Sequence, residues 1–500
     1  MKLFNCLPLS ATSAIVAAAA SLGLVEITQA QLAEPDLSCP LVPKQDGLAD
    51  RAESLSTYVV EVRSSEELLN AVRQAKPSTE IRLRPGVYKM DSTLWVGVAN
   101  LSIVGTGASC RDVVLQGPGM ENKQGGESAP HGIWSNSAGL HVENISIEQY
   151  YYHGIILNAD ADNPRLTQVR IIDTGQQQLK ANPKAFGEGV DNGVVQSSVF
   201  AYTTAPTMND HGGGTGYTNG VDVHGGSGWQ IRHSLFANFH TPDNADHLWN
   251  PAILMWNGAS DTLVEANTFY QVDRAVAFGL IDRELDHQGG RIVNNTVMNP
   301  PGLFSDTRRA NADAFILVYS SPNTVVAHNS FLSNDSVNLG VELRFDSSNA
   351  QVLNNLGDKP TRYRESPDKN TSWLNAENIT LSASSQTAEQ NSLSARQSTS
   401  AIAGFYLRPT LIDDSALKVR YQPEYAYDQY GLARQEPKAN AGALAYQSFT
   451  ELEAKLVTAD EPETKIGVAD TTDANNAPQP APTDEPAAPR APSRLTITVK

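Results

Sequence analysis

The sequence predicts an all-β chain wound as a right-handed parallel β-helix, a solenoid with a short N-terminal capping helix. Three observations predict it. A short apolar phrase recurs over most of the chain, an asparagine returns at one place within that phrase, and the body is long yet carries no internal linker.

The phrase is a short apolar run, a Gly/Asn/Asp/Ser turn, a second short apolar run, and a polar residue followed by a hydrophobic one. It spans Gly132 to Ile147, Gly154 to Ile172, Gly220 to Phe236, Ala252 to Phe269, Ala275 to Val297, Ala314 to Phe331 and Gly340 to Leu356. Within it, Asn144, Asn267, Asn295, Asn329 and Asn355 return at one corner. An asparagine stacked coil on coil can adopt a left-handed conformation and hydrogen-bond to its neighbours above and below, which predicts an asparagine ladder at that corner. His233 follows the same register, so a structural role is expected for it.

The ends of the chain bound the body. Lys2, the Ala-rich apolar run Ile15 to Val25 and the small-residue pattern Thr28-Gln29-Ala30 read as a secretory signal peptide over residues 1–30. Export to the periplasm or the extracellular space follows as the expectation. No other stretch approaches the roughly 18 uninterrupted apolar residues of a membrane helix, so no membrane span is expected. From about residue 451 the composition turns to Ala, Pro, Thr, Asp and Glu, including the run from Ala477 to Pro482, which predicts a disordered tail over 451–500. Residues 31–55 are an N-terminal extension, and 56–450 are the β-helix domain. Cys6 leaves with the signal peptide; Cys39 and Cys110 remain as an even pair in an oxidising compartment, which a disulfide explains, with two buried thiols as the alternative.

The formal net charge of −18 and the lack of a basic stripe argue against nucleic acid as a partner. Several enzyme classes are also excluded. His211-Gly212-Gly213-Gly214 has the look of an esterase oxyanion loop, but no Gly-x-Ser-x-Gly elbow accompanies it, and the chain has no His-Glu-x-x-His, phosphate loop or dinucleotide fingerprint.

The start of the body is more informative. Ser64 to Ala75 reads as an amphipathic helix with Leu68, Leu69 and Val72 on one face, followed by Arg84-Pro85-Gly86-Val87-Tyr88 and Leu101-Ser102-Ile103-Val104-Gly105. On these residues the chain resembles the pectate-lyase-like superfamily of right-handed parallel β-helix proteins, and the stretch Asp428 to Tyr446 looks like the closing segment of its bacterial members. The resemblance covers roughly Ser56 to Gln447. It implies the fold; the superfamily includes lyases, hydrolases, epimerases and adhesins, so chemistry has to come from particular residues.

Those residues concentrate between Lys180 and Trp256, which hold His211, His224, His233, His240 and His247, five of the ten histidines, with Asp210, Asp222, Asp243 and Asp246. Asp210 to Asn219 is too long and Gly-rich for a coil corner, and Thr241 to Asn250 is a second polar insertion; loops of this kind on a rigid solenoid are where binding sites are built. In Val221-Asp222-Val223-His224 the valines face the core, so Asp222 and His224 point outward from one sheet face. Leu179 is buried by the same alternation and Lys180 exposed one coil earlier, about 4.8 Å away. Lys, His and Asp so placed suit β-elimination from a uronate, which needs a base, an acid for the leaving oxygen and neutralisation of the carboxylate. Lys180 is the candidate base and His224 the candidate acid, the two roles being exchangeable. Asp191, Asp210 and Asp222 are candidates to hold a calcium ion. The arrangement resembles the calcium-dependent alginate and chondroitin lyase branch, which places a Lys on one coil and an Arg on the next; here His224 stands where that Arg would be.

Substrate contacts are expected from His211, His240, His247, Trp249, Trp256, Asn257, Tyr319, Glu342 and Arg344, an aromatic platform with polar forks along a groove. Arg274, Arg283, Arg291, Arg308 and Arg309 are offset by Asp273, Asp282, Glu284, Asp286 and Asp306, leaving the sign of the groove open. The sequence therefore points to a carbohydrate-active β-helix, read first as a lyase of a uronate-containing polysaccharide. A hydrolase with paired carboxylates, drawn from Asp210, Asp222 and Asp246, is the second reading. A non-catalytic adhesin or polysaccharide-binding protein is the third. A monomer is expected, with the oligomeric state otherwise open.

Overall fold

Strand after strand, the chain returns to the same three columns and pairs in parallel with the coil before it. The computed structural model describes residues 35–40, 56–208, 210–364, 372–383, 392–397, 405–410, 417–444 and 497–499. The predicted signal peptide lies outside them. So does the predicted tail except for Ile497–Val499, which pairs antiparallel with the Tyr58–Val62 strand.

One column is a ten-stranded parallel sheet in strict chain order, from Leu94–Val96 through Leu179–Ala181, Val221–His224, Pro251–Trp256 and Leu339–Arg344 to Thr361–Tyr363. The other two columns belong to a second sheet, joined because strands such as His141–Tyr150 and Arg165–Thr174 run round a corner without a break. The fold is a parallel β-helix, right-handed as parallel crossovers almost always are. Inside it runs one continuous apolar core from Val60 to Val352, with Phe200, Phe236 and Phe269 stacked coil on coil at 5.1 Å per step.

A helix, Ser65–Gln74, packs at the start of the solenoid. Ser64 caps it by accepting from the Glu67 amide, and Leu68, Ala71 and Val72 are buried. Tyr88 of the Pro-Gly-x-Tyr turn is buried and its hydroxyl donates to the Val62 and Arg84 carbonyls, tying that turn to the first strand. Cys39 is disulfide-bonded to Cys110. Residues of 417–444 lie against the outside of one column, where Leu417, Val419, Ala439 and Leu444 meet Leu235, Tyr270, Met298 and Leu332.

The corner between the two joined columns corrects the sequence reading by one residue. Asn267, Asn295, Asn329, Asn355 and Asn378 form a ladder in which each amide donates to the next at 2.8–3.1 Å. The left-handed residue is not the ladder asparagine but the one before it: Ala266, Asn294, His328, Asn354 and Glu377 all have φ between 54° and 58°. Asn144 and His233 sit in that left-handed column, and Ser198 and Ser234 extend the ladder backwards with their hydroxyls. Turning the corner and satisfying it are thus two jobs for two adjacent residues. Among the described residues no helix is long and apolar enough to cross a membrane.

Candidate active site

The ten-stranded sheet carries the candidate chemistry on its outer face. Pairing places Lys180 directly opposite Asp222, and it sets one outward row through the coils: Trp95, Trp134, Ile156, Lys180, Asp222, Leu254, Ala277, Leu317, Glu342 and Arg362. His224 lies two residues beyond Asp222 on the same strand, opposite Trp256.

The three polar side chains meet. Lys180 Nζ donates to Asp222 Oδ2 at 2.6 Å and stands 3.1 Å from His224 Nε2, which is itself 3.3 Å from the same carboxylate oxygen. Trp256 Nε1 donates to the other oxygen, Asp222 Oδ1, at 3.0 Å, and its ring centroid is 4.7 Å from that of His224. Asp222 is only 1 % exposed. Burial pushes its carboxyl up, but Lys180 and His224 outweigh this and hold it well below the usual carboxylate range. A buried carboxylate tied to an ammonium group is thereby surrounded by donors, as burial of a charge demands. His224 and Lys180 each keep an edge open to solvent.

Loops complete the surroundings. Gly187 donates its N–H to the Asn257 carbonyl, bringing the 184–189 loop across the intervening coil, and a side chain at Gly258 would collide with the Gly187 backbone at 2.7 Å. Phe186 on this loop and Trp256 both lie beside the Arg283 guanidinium, at 5.5 and 5.6 Å. Arg283 also donates to Asn257 Oδ1 and pairs with Asp286. On the other side, His153 bonds the Gln177 carbonyl at 2.8 Å and stacks on His131 at 5.1 Å. Burial, with His131 next, lowers His153 to about 3; burial lowers His131 to about 4, so both are neutral at pH 7.

Many residues expected to bind substrate also make contacts that hold neighbouring elements together. His211 is 4 % exposed, packed on Tyr151 and bonded to the Met120 carbonyl. His247 bonds the Gly213 carbonyl, and together with the Thr215–Asp246 hydrogen bonds it fastens the Asp210–Asn219 loop to the Thr241–Asn250 insertion. His240 pairs with buried Asp273, to which Arg308 also donates, and Arg308 lies 4.5 Å over the Trp249 ring. Tyr319 and Glu342 stand on outward positions, yet Glu342 is fully buried because Tyr319, Arg362 and Arg364 all donate to it. Arg344 lies over the Tyr319 and Phe345 rings. Asn257 is not on the strand at all but at the corner after it, with φ 61°.

The three carboxylates considered for calcium serve separate local ends. Asp191 accepts from the Ser227 amide at a corner, Asp210 accepts from the Gly212 and Gly214 amides in its own loop, and Asp222 is committed to Lys180. Those amides lower the Asp210 carboxyl. Among the described residues no group of three or more His, Cys, Asp or Glu side chains is placed to hold a metal ion.

Trp95 and Trp134 were not singled out by sequence, although the alternation in Leu94-Trp95-Val96 and Ile133-Trp134-Ser135 already points them outward. Their rings stand 5.2 Å apart on the row that leads to Lys180.

No protein-family model matches this chain, and no curated protein matches it. Solved structures that it is similar to include an alginate lyase from Paenibacillus sp. str. FPU-7, with TM-score 0.42 and 13% identity over 64% of this chain and 98% of that one. Pectate lyase Pel9A gives TM-score 0.38 and 10% identity over 79% and 98%. PfbA, a surface adhesin of Streptococcus pneumoniae, gives 0.36 and 12% over 68% and 89%. The pairing of its own coils fixes the fold of this chain as a right-handed parallel β-helix.

Proposed function

We propose that this protein is a polysaccharide lyase that cleaves a uronate-containing chain by β-elimination at Lys180, Asp222 and His224. The observation that carries the reading is the contact of Lys180 Nζ with both Asp222 Oδ2 and His224 Nε2 on the outer face of the sheet.

The geometry supports a closed proton cycle. Lys180 passes a proton to His224 across 3.1 Å, and the resulting imidazolium stays beside the Asp222 carboxylate. The freed amine takes the proton from the carbon next to the uronate carboxyl group. The electron pair left on that carbon forms a double bond as the neighbouring carbon–oxygen bond breaks, and His224 returns its proton to the leaving oxygen. One proton has moved from carbon to oxygen, and both side chains are back in their starting states. Asp222, fixed by Trp256, stabilises the imidazolium and sets the positions of Lys180 and His224. The Arg283 guanidinium beside Trp256 is the candidate partner for the uronate carboxylate. Export under the predicted signal peptide would place the enzyme where such polymers occur.

The test incubates the purified full chain, with and without calcium, against alginate, polygalacturonate and chondroitin sulfate, recording ultraviolet absorbance from unsaturated chain ends. Absorbance that disappears in Lys180→Ala and His224→Ala is the expected result. New reducing ends without absorbance would replace the lyase by a hydrolase, and binding without either product would leave a polysaccharide-binding protein.

A further inference from the structure

We propose that Trp95 and Trp134, with Asn136, Asn158 and Asn182, form a pyranose-stacking subsite that holds the polymer two to three coils before Lys180. The proposal rests on the polysaccharide reading above and adds where, and by what chemistry, the chain is gripped away from the bond that breaks.

Register carries the argument. Trp95, Trp134, Ile156 and Lys180 are successive partners on one outward row, so with coils about 4.8 Å apart Trp134 lies about 10 Å and Trp95 about 14 Å from Lys180 along the sheet. Trp95 is 54 % exposed, and Trp134 remains half-exposed. An indole left open to water on a rigid strand, outside the core, offers the flat apolar face that the C–H side of a sugar ring covers. The two rings are tilted 54° to one another. Successive pyranose rings in a polymer are likewise rotated about the chain axis, so a tilted pair suits two sugars better than one flat stack would.

A second row runs beside the first. Asn158 and Asn182 follow the paired residues Leu157 and Ala181 and continue the ladder, each donating its backbone N–H to the coil before it, and Asn136 follows the paired residue Ser135. Asn182 Nδ2 donates to Asn158 Oδ1 at 3.0 Å, which orients both amides and uses one polar atom of each. Asn158 Nδ2 and Asn182 Oδ1 then remain as a donor and an acceptor for sugar hydroxyls on these partly exposed residues, and Asn136 is exposed. Between Trp95 and Ile156 the outward row carries no charge. This stretch therefore recognises ring faces and hydroxyl groups, while carboxylate recognition is left to the Lys180 neighbourhood.

The test is calorimetric titration of the full chain carrying His224→Ala, so that bound sugar is not cleaved. The probes are alginate and polygalacturonate hexasaccharides, with cellohexaose as a neutral counterpart. Trp95→Ala and Trp134→Ala are each expected to weaken hexasaccharide binding about tenfold or more, and Trp95→Phe is expected to recover most of the loss. Hexasaccharide affinity unchanged in both alanine variants, or no binding of any hexasaccharide, would overturn the subsite; an unchanged thermal midpoint shows that a loss is not unfolding. Trp-dependent binding in a protein that releases no unsaturated ends would retain the subsite and sink the lyase reading. Turnover indifferent to both tryptophans would do the reverse.

Discussion

Trp256 Nε1 donates to Asp222 Oδ1 at 3.0 Å, so the carboxylate that Lys180 holds by one oxygen is fixed by an indole on the next coil through the other. The pair settles which way Asp222 faces, and with it where the Lys180 ammonium and the His224 ring sit. Replacing Trp256 by Phe keeps an aromatic ring against His224 and removes only the donor. A hydrogen bond to a charged group contributes about 1.5–3 kcal/mol, so under the proposed lyase function the turnover of Trp256→Phe falls about tenfold to a hundredfold. Initial rates from ultraviolet absorbance check this; a rate equal to the parent's would show that the indole does not position the carboxylate.

The Lys180–Asp222 pair also makes a stability prediction that is independent of activity. With Asp222 buried, removing Lys180 takes away its nearer counter-ion and leaves only His224 beside the carboxylate, which costs up to about 3–5 kcal/mol, whereas removing both partners avoids that penalty. Denaturant midpoints should therefore rank the parent first, the Lys180→Met/Asp222→Leu double variant close to it, and Lys180→Met alone clearly lowest. Additive losses would mean that the pair is not coupled in the folded protein.

The coil architecture was legible because apolar alternation and recurring turns write it repeatedly along the chain. Lys180, Asp222 and His224 were legible for the same reason: once the valines are assigned inward, neighbouring residues on adjacent coils have only one face left. Where exposure differs from the sequence reading, the cause is contacts from residues far along the chain. Glu342 alternates outward, but Arg362 and Arg364 from the following coil close over it. His211 lies in a polar loop, yet Tyr151 and the Met120 carbonyl, sixty and ninety-one residues earlier, bury it. Trp95 and Trp134 were marked outward by the same alternation, but only the coil register aligns them with Lys180. The left-handed corner was displaced by one residue because asparagine satisfies both roles at that turn and its presence does not say which it fills.

The asparagine ladder should be a cooperative element of the solenoid. Asn329 donates to the Ile292 and Ala327 carbonyls and to Asn355 Oδ1, and accepts from the Asn295 backbone and side-chain amides. Asn329→Ala strands several of these groups in a dry corner, with a loss of about 3 kcal/mol or more in unfolding free energy. Asn378→Ala, at the end of the ladder and half-exposed, should lose less. Equal losses at the two sites would argue that the ladder acts as separate turns.

Acid should destabilise the protein well before its carboxylates titrate. His287 is fully buried against Phe278, with Nδ1 2.9 Å from Ser321 Oγ, and burial lowers it to about 3. Burial also lowers His153 to about 3, and His131 and His233 to about 4. An unfolded histidine titrates near 6.5, so between that value and the folded one the unfolded chain binds the extra proton. The stability these rings hold is complete above pH 6.5 and is lost as pH falls towards 3–4, by up to about 1.4 kcal/mol per pH unit for each ring well inside the window. Thermal midpoints of the parent should thus drop steeply between pH 6 and 4. His287→Gln, which cannot take up that proton, should start from a lower midpoint at pH 7.5 and fall along a shallower slope. Parallel slopes for parent and variant would mean that His287 is already protonated in the folded state, which would contradict its dry packing against Phe278.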